Sequence, residues 1–221
     1  MKKQFMVIGL GRFGSSLTRT LIENGHEVLA LDTNENVVQE MASIATQVIH
    51  ADSTDETVLK QLGASNFHHG IVAIGDDLQA SIMTTLILKE LNMPKVTAKA
   101  RNDMHGTVLY KVGADHVVYP ERDMGIRLGK QLSSDTLIDY IELSPNYNLV
   151  EILAPHAMNG RTLDELNIRA EFGCTILAIK TNDEINISPK AEDRVHAGDL
   201  LLMIGSNEDI RQLENHYERK R

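Results

Sequence analysis

One cysteine, Cys174, occurs in the 221 residues, so no disulfide can form within the chain. It lies in the apolar run 174–179, where we expect a buried core thiol rather than a nucleophile. No stretch of about 18 residues is free of charge and apolar throughout, and polar and charged residues interrupt the nearest candidate, 80–91. The apolar run at the N-terminus is too short for a signal peptide. We therefore expect a soluble, cytoplasmic protein without direct membrane insertion.

Basic residues are also scarce, since 22 Lys and Arg stand against 31 Asp and Glu, for a formal net charge of -9. Nucleic-acid binding rests on clustered Lys and Arg that release counterions from the phosphate backbone. The one basic cluster in the sequence is Arg219, Lys220 and Arg221, which we interpret as a solvated tail. The sequence therefore predicts no nucleic-acid partner.

Short runs rich in Val and Ile alternate with stretches of helical period over the first two-thirds of the chain. This alternation is typical of an α/β domain with a Rossmann-like, doubly wound parallel sheet covered on both faces. The predicted strands are 5–8, 28–31, 47–50, 70–74, 95–98 and 116–119. The predicted helices are 13–23, 35–44, 55–62, 77–91 and 105–112.

Turn residues agree with these bounds. Gly25, Gly63 and Gly113 fall just past helix ends, where a left-handed cap favours glycine, while Asn34 and Thr54 are placed as N-caps.

A further helix, 124–132, ends in Ser-Ser-Asp at 133–135, after which strands predominate. We place a domain boundary there, with a nucleotide-binding domain at 1–138 and a small α+β domain at 139–221. In the second domain the predicted strands are 137–143, 149–153, 175–180, 185–188 and 200–204, and the predicted helices are 162–166 and 209–217.

A glycine motif follows the first predicted strand and opens a helix. It consists of Gly9, Gly11 and Gly14, with Arg12 and Phe13 before the last glycine. Such a loop brings backbone N–H groups and a helix N-terminus against a pyrophosphate. Asp32 ends the second strand, in position for ribose hydroxyls. The alternative is that the glycines serve only tight packing of helix on strand.

Ligands of open parallel sheets bind beyond the carboxyl ends of the strands. The polar residues at those ends are Asp32, Thr33 and Asn34; Asp52, Ser53 and Thr54; Gly75 and Asp76; Lys99 and Arg101; and Glu121 and Arg122. Each also fits a solvated loop or helix cap, the interpretation we favour for Asp76 and Arg122. Since carboxylates repel a polyphosphate, we expect Arg12, Lys99 and a divalent ion to offset them. Glu121 is the candidate metal contact, although a helix N-terminus explains it equally well.

Enzymatic activity is not expected. A dehydrogenase needs an acid-base group near the hydride acceptor, and Cys174, His156, His196 and His216 show no spacing typical of a triad or metal pair. The sequence also contains no P-loop motif. Two alternatives stay open, a small NAD-dependent oxidoreductase and an NAD(H)-binding redox sensor, because NAD and ATP use the same glycine loop and Asp32.

Several ordered segments together carry a family resemblance: VIGLGRFG at 7–14, DSTDE at 52–56, IVAIG at 71–75, 80–91, KARN at 99–102, GADH at 113–116, PERDM at 120–124, NIRA at 167–170, ISP at 187–189 and GDLLLMIG at 198–205. In these segments the sequence resembles the cytosolic regulators of potassium conductance, the RCK family with TrkA-N and TrkA-C domains, and within it the Ktr type.

This resemblance implies an octameric ring built from dimers, docked on a membrane-embedded potassium-translocating subunit of the KtrB or KtrD kind. ATP in the cleft would favour the active ring and ADP the inactive one. Arg12 would contact phosphate or base, Asp32 the ribose and Lys99 the floor of the site, and the IVAIG segment adds Ile74 and Gly75. Glu121 would approach Mg2+ or Ca2+ between the nucleotides of paired subunits.

For the second domain, the resemblance implies a cyclic di-AMP receptor at a two-fold interface. The matching residues are Asn167, Ile168, Arg169 and Ala170, with Leu163, Ile176 and Pro189 as apolar walls. Family members vary between Asp and Asn at position 167, which bears on the pairing with Arg169 and on dinucleotide affinity.

Overall fold

The computed structural model describes residues 2–134 and 136–218, and the side chain of residue 218 is not among them. The basic cluster at 219–221 and the predicted helix stop at Asp135 therefore lie outside the described residues. The chain divides into two compact units between Asp123 and Met124.

The first unit is built on a six-stranded, all-parallel sheet of order β3-β2-β1-β4-β5-β6. Its elements, with the helix that leaves it, are β1 Gln4–Ile8, α1 Arg12–Glu23, β2 Glu27–Asp32, α2 Glu35–Met41, β3 Gln47–His50, α3 Glu56–Gln61, β4 His69–Val72, α4 Leu78–Glu90, β5 Val96–Lys99, α5 Asp103–Lys111, β6 His116–Val118 and α6 Pro120–Leu132. The Rossmann-like prediction is confirmed, and each predicted strand overlaps an observed one.

Both faces of this sheet are buried, because side chains alternate along each strand. On β1, Met6 and Ile8 belong to a core that includes Leu59 of α3 and Leu88 of α4. Val7, between them, belongs to a separate core on the other face, with Leu17 of α1 packed against it.

The predicted caps are confirmed with one exception. Gly25, Gly63 and Gly113 have φ values of 80°, 68° and 106°, in the left-handed region. The Asn34 side chain caps α2 by accepting from the Asn36 N–H at 3.0 Å. The prediction of Thr54 as the cap of α3 is wrong: Asp55 is the N-cap, because its carboxylate accepts from the Thr57 N–H at 2.9 Å.

Helix α4 contains most of the apolar stretch 80–91, yet it buries the hydroxyl residues Ser81, Thr84 and Thr85. Within residues 2–134 and 136–218, no helix is long and apolar enough to cross a membrane.

The second unit contains a five-stranded antiparallel sheet of order β10-β9-β11-β8-β7. Its elements after α6 are β7 Leu137–Ser144, β8 Tyr147–Leu153, α7 Leu163–Leu166, α8 Ile168–Phe172, β9 Thr175–Thr181, β10 Glu184–Asn186, β11 Leu200–Ser206 and α9 Asn207–Glu218. The α+β prediction is confirmed, and α8 is an element that the sequence pattern missed. Cys174 is fully buried in the core of this unit, where burial raises the pKa of the thiol to about 11.

Helix α6 explains why the two boundary criteria differ. The sequence pattern changes near residue 138, where the helix has ended, whereas the compact units divide inside the helix, after Asp123. The second half of α6 belongs to the second unit because the Arg127 Nε donates to Asp139 Oδ1 on β7 at 2.8 Å.

Candidate functional site

The turn from β1 to α1 is shaped by two glycines that have no room for a side chain. Gly9 has φ +92°, and a Cβ there would lie 3.0 Å from the backbone carbon of Ala73. A Cβ on Gly14 would lie 1.9 Å from the Gly9 carbonyl oxygen. The third glycine, Gly11, is the N-cap of α1 and would meet nothing within 4 Å. Helix and strand therefore approach closely at Gly9 and Gly14, while the backbone at Gly11 stays open to a ligand.

Asp32, at the end of β2, fixes this loop in place. Its Oδ2 accepts from the Leu10 N–H at 2.6 Å, and its Oδ1 accepts from the Asn34 N–H at 2.8 Å. One carboxylate therefore orients both the glycine loop and the start of α2. Asp32 also lines the cleft between them, where remaining lone pairs can accept from ribose hydroxyls.

A cleft of about 500 Å³ opens beyond the carboxyl ends of β1 to β4, a volume typical of small-molecule sites. It brings together ten predicted site residues: Gly9, Gly11, Asp32, Thr33, Asn34, Asp52, Ser53, Thr54, Ile74 and Gly75. Arg12, Phe13, Gly14, Lys99, Arg101 and Glu121 are not among the residues that line it. Four aspartates line the cleft, Asp32, Asp52, Asp76 and Asp77, and no Lys, Arg or His does. The lining by itself is thus acidic.

Polar residues after β3 are fixed by local hydrogen bonds. The Oδ1 of Asp52 accepts from the Thr54 N–H at 2.8 Å and from the Thr54 hydroxyl at 2.7 Å. These bonds hold the pKa of the Asp52 carboxyl below its usual value, so it stays ionised at neutral pH. Ser53 is buried and its hydroxyl hydrogen-bonds the Thr84 hydroxyl on α4 at 2.8 Å.

Lys99, at the end of β5, borders the cleft at Gly75. Its Nζ lies 3.3 Å from the position that a Cβ on Gly75 would take, and it donates to Glu121 Oε1 at 2.6 Å. This hydrogen bond is the main cause that lowers the pKa of the Glu121 carboxyl. The side chain of Arg101 is exposed, whereas the backbone N–H of Arg101 donates to Nδ1 of the buried His105 at 3.2 Å.

The described residues contain no group of three or more His, Cys, Asp or Glu able to hold a metal ion. Glu121 is a single carboxylate that Lys99 already neutralises. A divalent ion at Glu121 would therefore need most of its ligands from elsewhere, such as phosphate oxygens, water or a second subunit.

In the second unit, four of the predicted ligand residues, Asn167 to Ala170, lie at the junction of α7 and α8. Asn167 separates the two helices in the left-handed conformation, with φ 46°, and Arg169 and Ala170 are exposed. Ile168, in contrast, is part of the core, so a ligand could meet only its backbone. Leu163 and Ile176 are partly buried against the same core, and Pro189 is half-buried in the loop after β10.

Two family models match the chain in tandem, the TrkA-N domain over residues 5–120 and the TrkA-C domain over residues 149–217. The chain belongs to the RCK family. Among curated relatives, Ktr system potassium uptake protein C of Bacillus subtilis (strain 168) is 52% identical over 214 residues, which cover 97% of each chain. Ktr system potassium uptake protein A of the same strain is 47% identical over 96% of each chain.

Solved RCK structures share the fold at low sequence identity. The RCK domain of GsuK is 20% identical with a TM-score of 0.69, over 98% of this chain and 48% of that one. A GsuK channel bound to NAD is 21% identical with a TM-score of 0.67, over 97% of this chain and 39% of that one. The chain thus spans less than half of the length of these structures, and the likeness concerns the fold alone.

The sequence pattern did not identify some of the residues that line this cleft. Asp77 lines the cleft and also caps α4 by accepting from the Ala80 N–H at 2.9 Å. Its position directly after Asp76, at the end of a strand, was a usable signal. The wall formed by Ile8, Val37 and Ala51 had no such signal, because apolar residues near strand ends are indistinguishable from core in the sequence.

Proposed function

We propose that the chain is a nucleotide-sensing regulatory subunit of a potassium uptake system, and that ATP and ADP in the cleft of its first unit are the signals. Near full-length similarity to two Ktr system potassium uptake proteins carries this proposal. The nucleotide-sized cleft at the glycine loop supplies the physical means.

Each part of an adenine nucleotide finds a suitable partner in the cleft. The open backbone at Gly11 and the N-terminus of α1 suit the pyrophosphate, because unpaired N–H groups and the helix dipole favour negative charge. Asp32 suits the ribose, and the apolar wall of Ile8, Val37 and Ala51 suits the base. The glycine loop and Asp32 suit NAD as well, so NAD(H) sensing is the alternative outcome of a binding test.

The distinction between ATP and ADP rests on charge. Four aspartates line the cleft, so each added phosphate is repelled unless cations approach it. Arg12 at the first turn of α1 adjoins the glycine loop, and Lys99 lies beside Gly75, so these two cations are the candidates of this chain. A divalent ion, Mg2+ or Ca2+, contacted by Glu121 would supply the remaining positive charge and neutralise the γ-phosphate.

Regulation follows if ATP and ADP bind two shapes of the assembly with different affinity. The assembly we propose is a cytoplasmic octameric ring built from dimers, bound to a potassium-translocating subunit in the membrane. Contacts from a neighbouring subunit to the γ-phosphate and its cation would exist in one shape only, and this difference shifts the population of ring shapes.

Catalysis is not part of this proposal. The residues that line the cleft include no His, Cys or Lys, so none of them can exchange a proton near neutral pH at its ordinary pKa. A hydride-transfer enzyme would need such a group at the reacting carbon.

We further propose cyclic di-AMP as a second, inhibitory ligand of the second unit. Exposed Arg169 offers a planar guanidinium for phosphate oxygens, and partly buried Leu163 and Ile176 offer apolar contact to adenine.

The functional test uses potassium-requiring bacterial cells that express a Ktr membrane subunit alone or together with this chain. We expect faster potassium uptake with the chain, and loss of that gain in Asp32→Ala, because the variant frees the glycine loop. Glu40→Gln, on the exposed side of α2, is the matched control. Uptake that is indifferent to the presence of the chain would refute the proposal.

A further inference from the structure

The ion pair of Lys99 and Glu121 is asymmetric. Only 14% of the Lys99 side chain is exposed, against 71% of the Glu121 side chain. Lys99 is therefore largely enclosed by the protein, with the Glu121 carboxylate as the anion beside its ammonium. Glu121 reaches it from solvent, at the first turn of α6.

This asymmetry decides which partner depends on the other. A mostly buried ammonium left without an anion is costly, whereas an exposed carboxylate released into water is not. Lys99 thus requires an anion at all times, but the identity of that anion is open to exchange. Glu121 supplies the carboxylate when nothing else is near.

The position of Lys99 offers a second anion. Its ammonium lies beside Gly75, which lines the cleft, and the lining itself has no Lys, Arg or His. A phosphate in the cleft faces a lining that includes four aspartates, and Lys99 borders that lining at Gly75. A terminal phosphate carries about two negative charges at neutral pH and more acceptor oxygens than a carboxylate.

We propose that Lys99 exchanges partners, so that it binds Glu121 in the nucleotide-free chain and the terminal phosphate of a bound nucleoside polyphosphate in the loaded chain. The inference rests on the proposed nucleotide function and identifies the contact through which a bound phosphate would act on Glu121. Glu121 competes with the phosphate for Lys99, and phosphate binding frees Glu121 at the start of α6. That helix runs from Pro120 to Leu132, from the first unit into the second.

Competition between Glu121 and phosphate for Lys99 predicts the direction of a change in ATP affinity, which a merely structural ion pair does not. Removing the competitor should tighten phosphate binding, so Glu121→Gln is expected to bind ATP more tightly than the wild type when divalent ions are absent. An exposed ion pair is worth about 0.2–1 kcal/mol, which corresponds to an increase in affinity of up to about fivefold. Gln keeps the shape of Glu and an oxygen that can accept from Lys99 Nζ, so the variant is expected to fold normally.

The experiment is calorimetric titration of the full, nucleotide-stripped chain with ATP and AMP in EDTA. We expect Glu121→Gln to tighten ATP binding and to leave AMP unchanged, since AMP lacks the outer phosphates. Lys99→Gln is expected to weaken ATP binding about tenfold, the value of a charge-assisted hydrogen bond. In Lys99→Gln/Glu121→Gln the tightening should disappear.

Asp123→Asn is the matched control, because it removes the same charge from the same turn without touching Lys99; Asp123 pairs with Arg122 instead. Equal tightening by Asp123→Asn, or tightening of AMP as much as ATP, would reduce the effect to overall charge and overturn the exchange. Unchanged or weaker ATP binding by Glu121→Gln would also overturn it. If ATP bound neither the wild type nor any variant, the proposed function itself would be wrong.

Discussion

Gly14 makes the tightest contact in the glycine loop, the turn from β1 to α1 that holds Gly9, Gly11 and Gly14. A Cβ at this position would lie 1.9 Å from the Gly9 carbonyl oxygen, and backbone cannot move aside as a flexible side chain can. We expect Gly14→Ala to destabilise the first unit by about 1–3 kcal/mol, the usual cost of overpacking. Gly11→Ala is the matched control, because nothing lies within 4 Å of its added Cβ. Denaturant unfolding compares the two, and equal stability of both variants would show that the turn relaxes freely.

A second residue, Arg169, tests the proposed dinucleotide site. Its side chain is exposed on α8, so its removal should leave the fold intact. We expect Arg169→Ala to lower cyclic di-AMP affinity about tenfold or more, because it removes a charge-assisted bond to phosphate. Calorimetry measures this, with Arg211→Ala, exposed on α9 of the same unit, as the control. Unchanged binding in Arg169→Ala would remove Arg169 from the site.

Single residues of the candidate site could be predicted from the sequence where the local backbone geometry requires one residue type. Gly9, Gly14 and Asp32 are of this kind, because close approach and a strand end dictate them. The sequence predicted least where a side chain has several possible partners. The pairing of Lys99 with Glu121 depends on the register of β5 and β6, which neither residue type reveals.

Among the elements, the first sheet contains a pH-sensitive contact at β4 and β5. The ring of His69 hydrogen-bonds the Thr97 hydroxyl at 2.8 Å and packs on Phe5 at a centroid distance of 6.1 Å. Burial lowers the pKa of His69, with further lowering by Lys95 and His116 that Asp115 partly offsets. The folded state therefore favours the neutral ring, and the unfolded chain takes up the proton first as pH falls.

The stability of the first unit should therefore decrease as pH falls below about 6.5, the ordinary pKa of histidine. We expect a lower melting temperature near pH 5.5 than near pH 7.5, measured by circular dichroism. His69→Gln keeps a polar partner for Thr97 without the titrating ring, and its pH dependence should be shallower. A dependence as steep as that of the wild type would assign the effect to another group.

Strong periodicity made most elements predictable, whereas short or tightly coupled ones were not. The six parallel strands were found because each is a compact apolar run between turn residues. Helix α8 was missed because it spans only Ile168–Phe172 and follows α7 after a single left-handed residue, Asn167. Its pattern is too short to show a helical period.

At the scale of the whole chain, α6 decides where a stable second fragment begins. Arg127 and Gln131 on α6 both bond Asp139 of β7, and Lys130 lies 4.1 Å from the ring centre of Tyr140. A fragment of residues 124–221 should therefore melt at a higher temperature than one of residues 139–221. Equal melting temperatures of the two fragments would show that α6 adds no stability and would place the domain boundary at residue 138, where the sequence pattern changes.

We propose that the first unit selects adenine di- and triphosphates, and the decisive measurement is calorimetric titration of the nucleotide-stripped chain. The titrants are ATP, ADP and NADH, each with and without Mg2+. We expect tight binding of ATP and ADP, weaker binding of NADH, and an effect of Mg2+ that is larger for ATP than for ADP. A strong preference for NADH would contradict this proposal and indicate a redox sensor or an oxidoreductase.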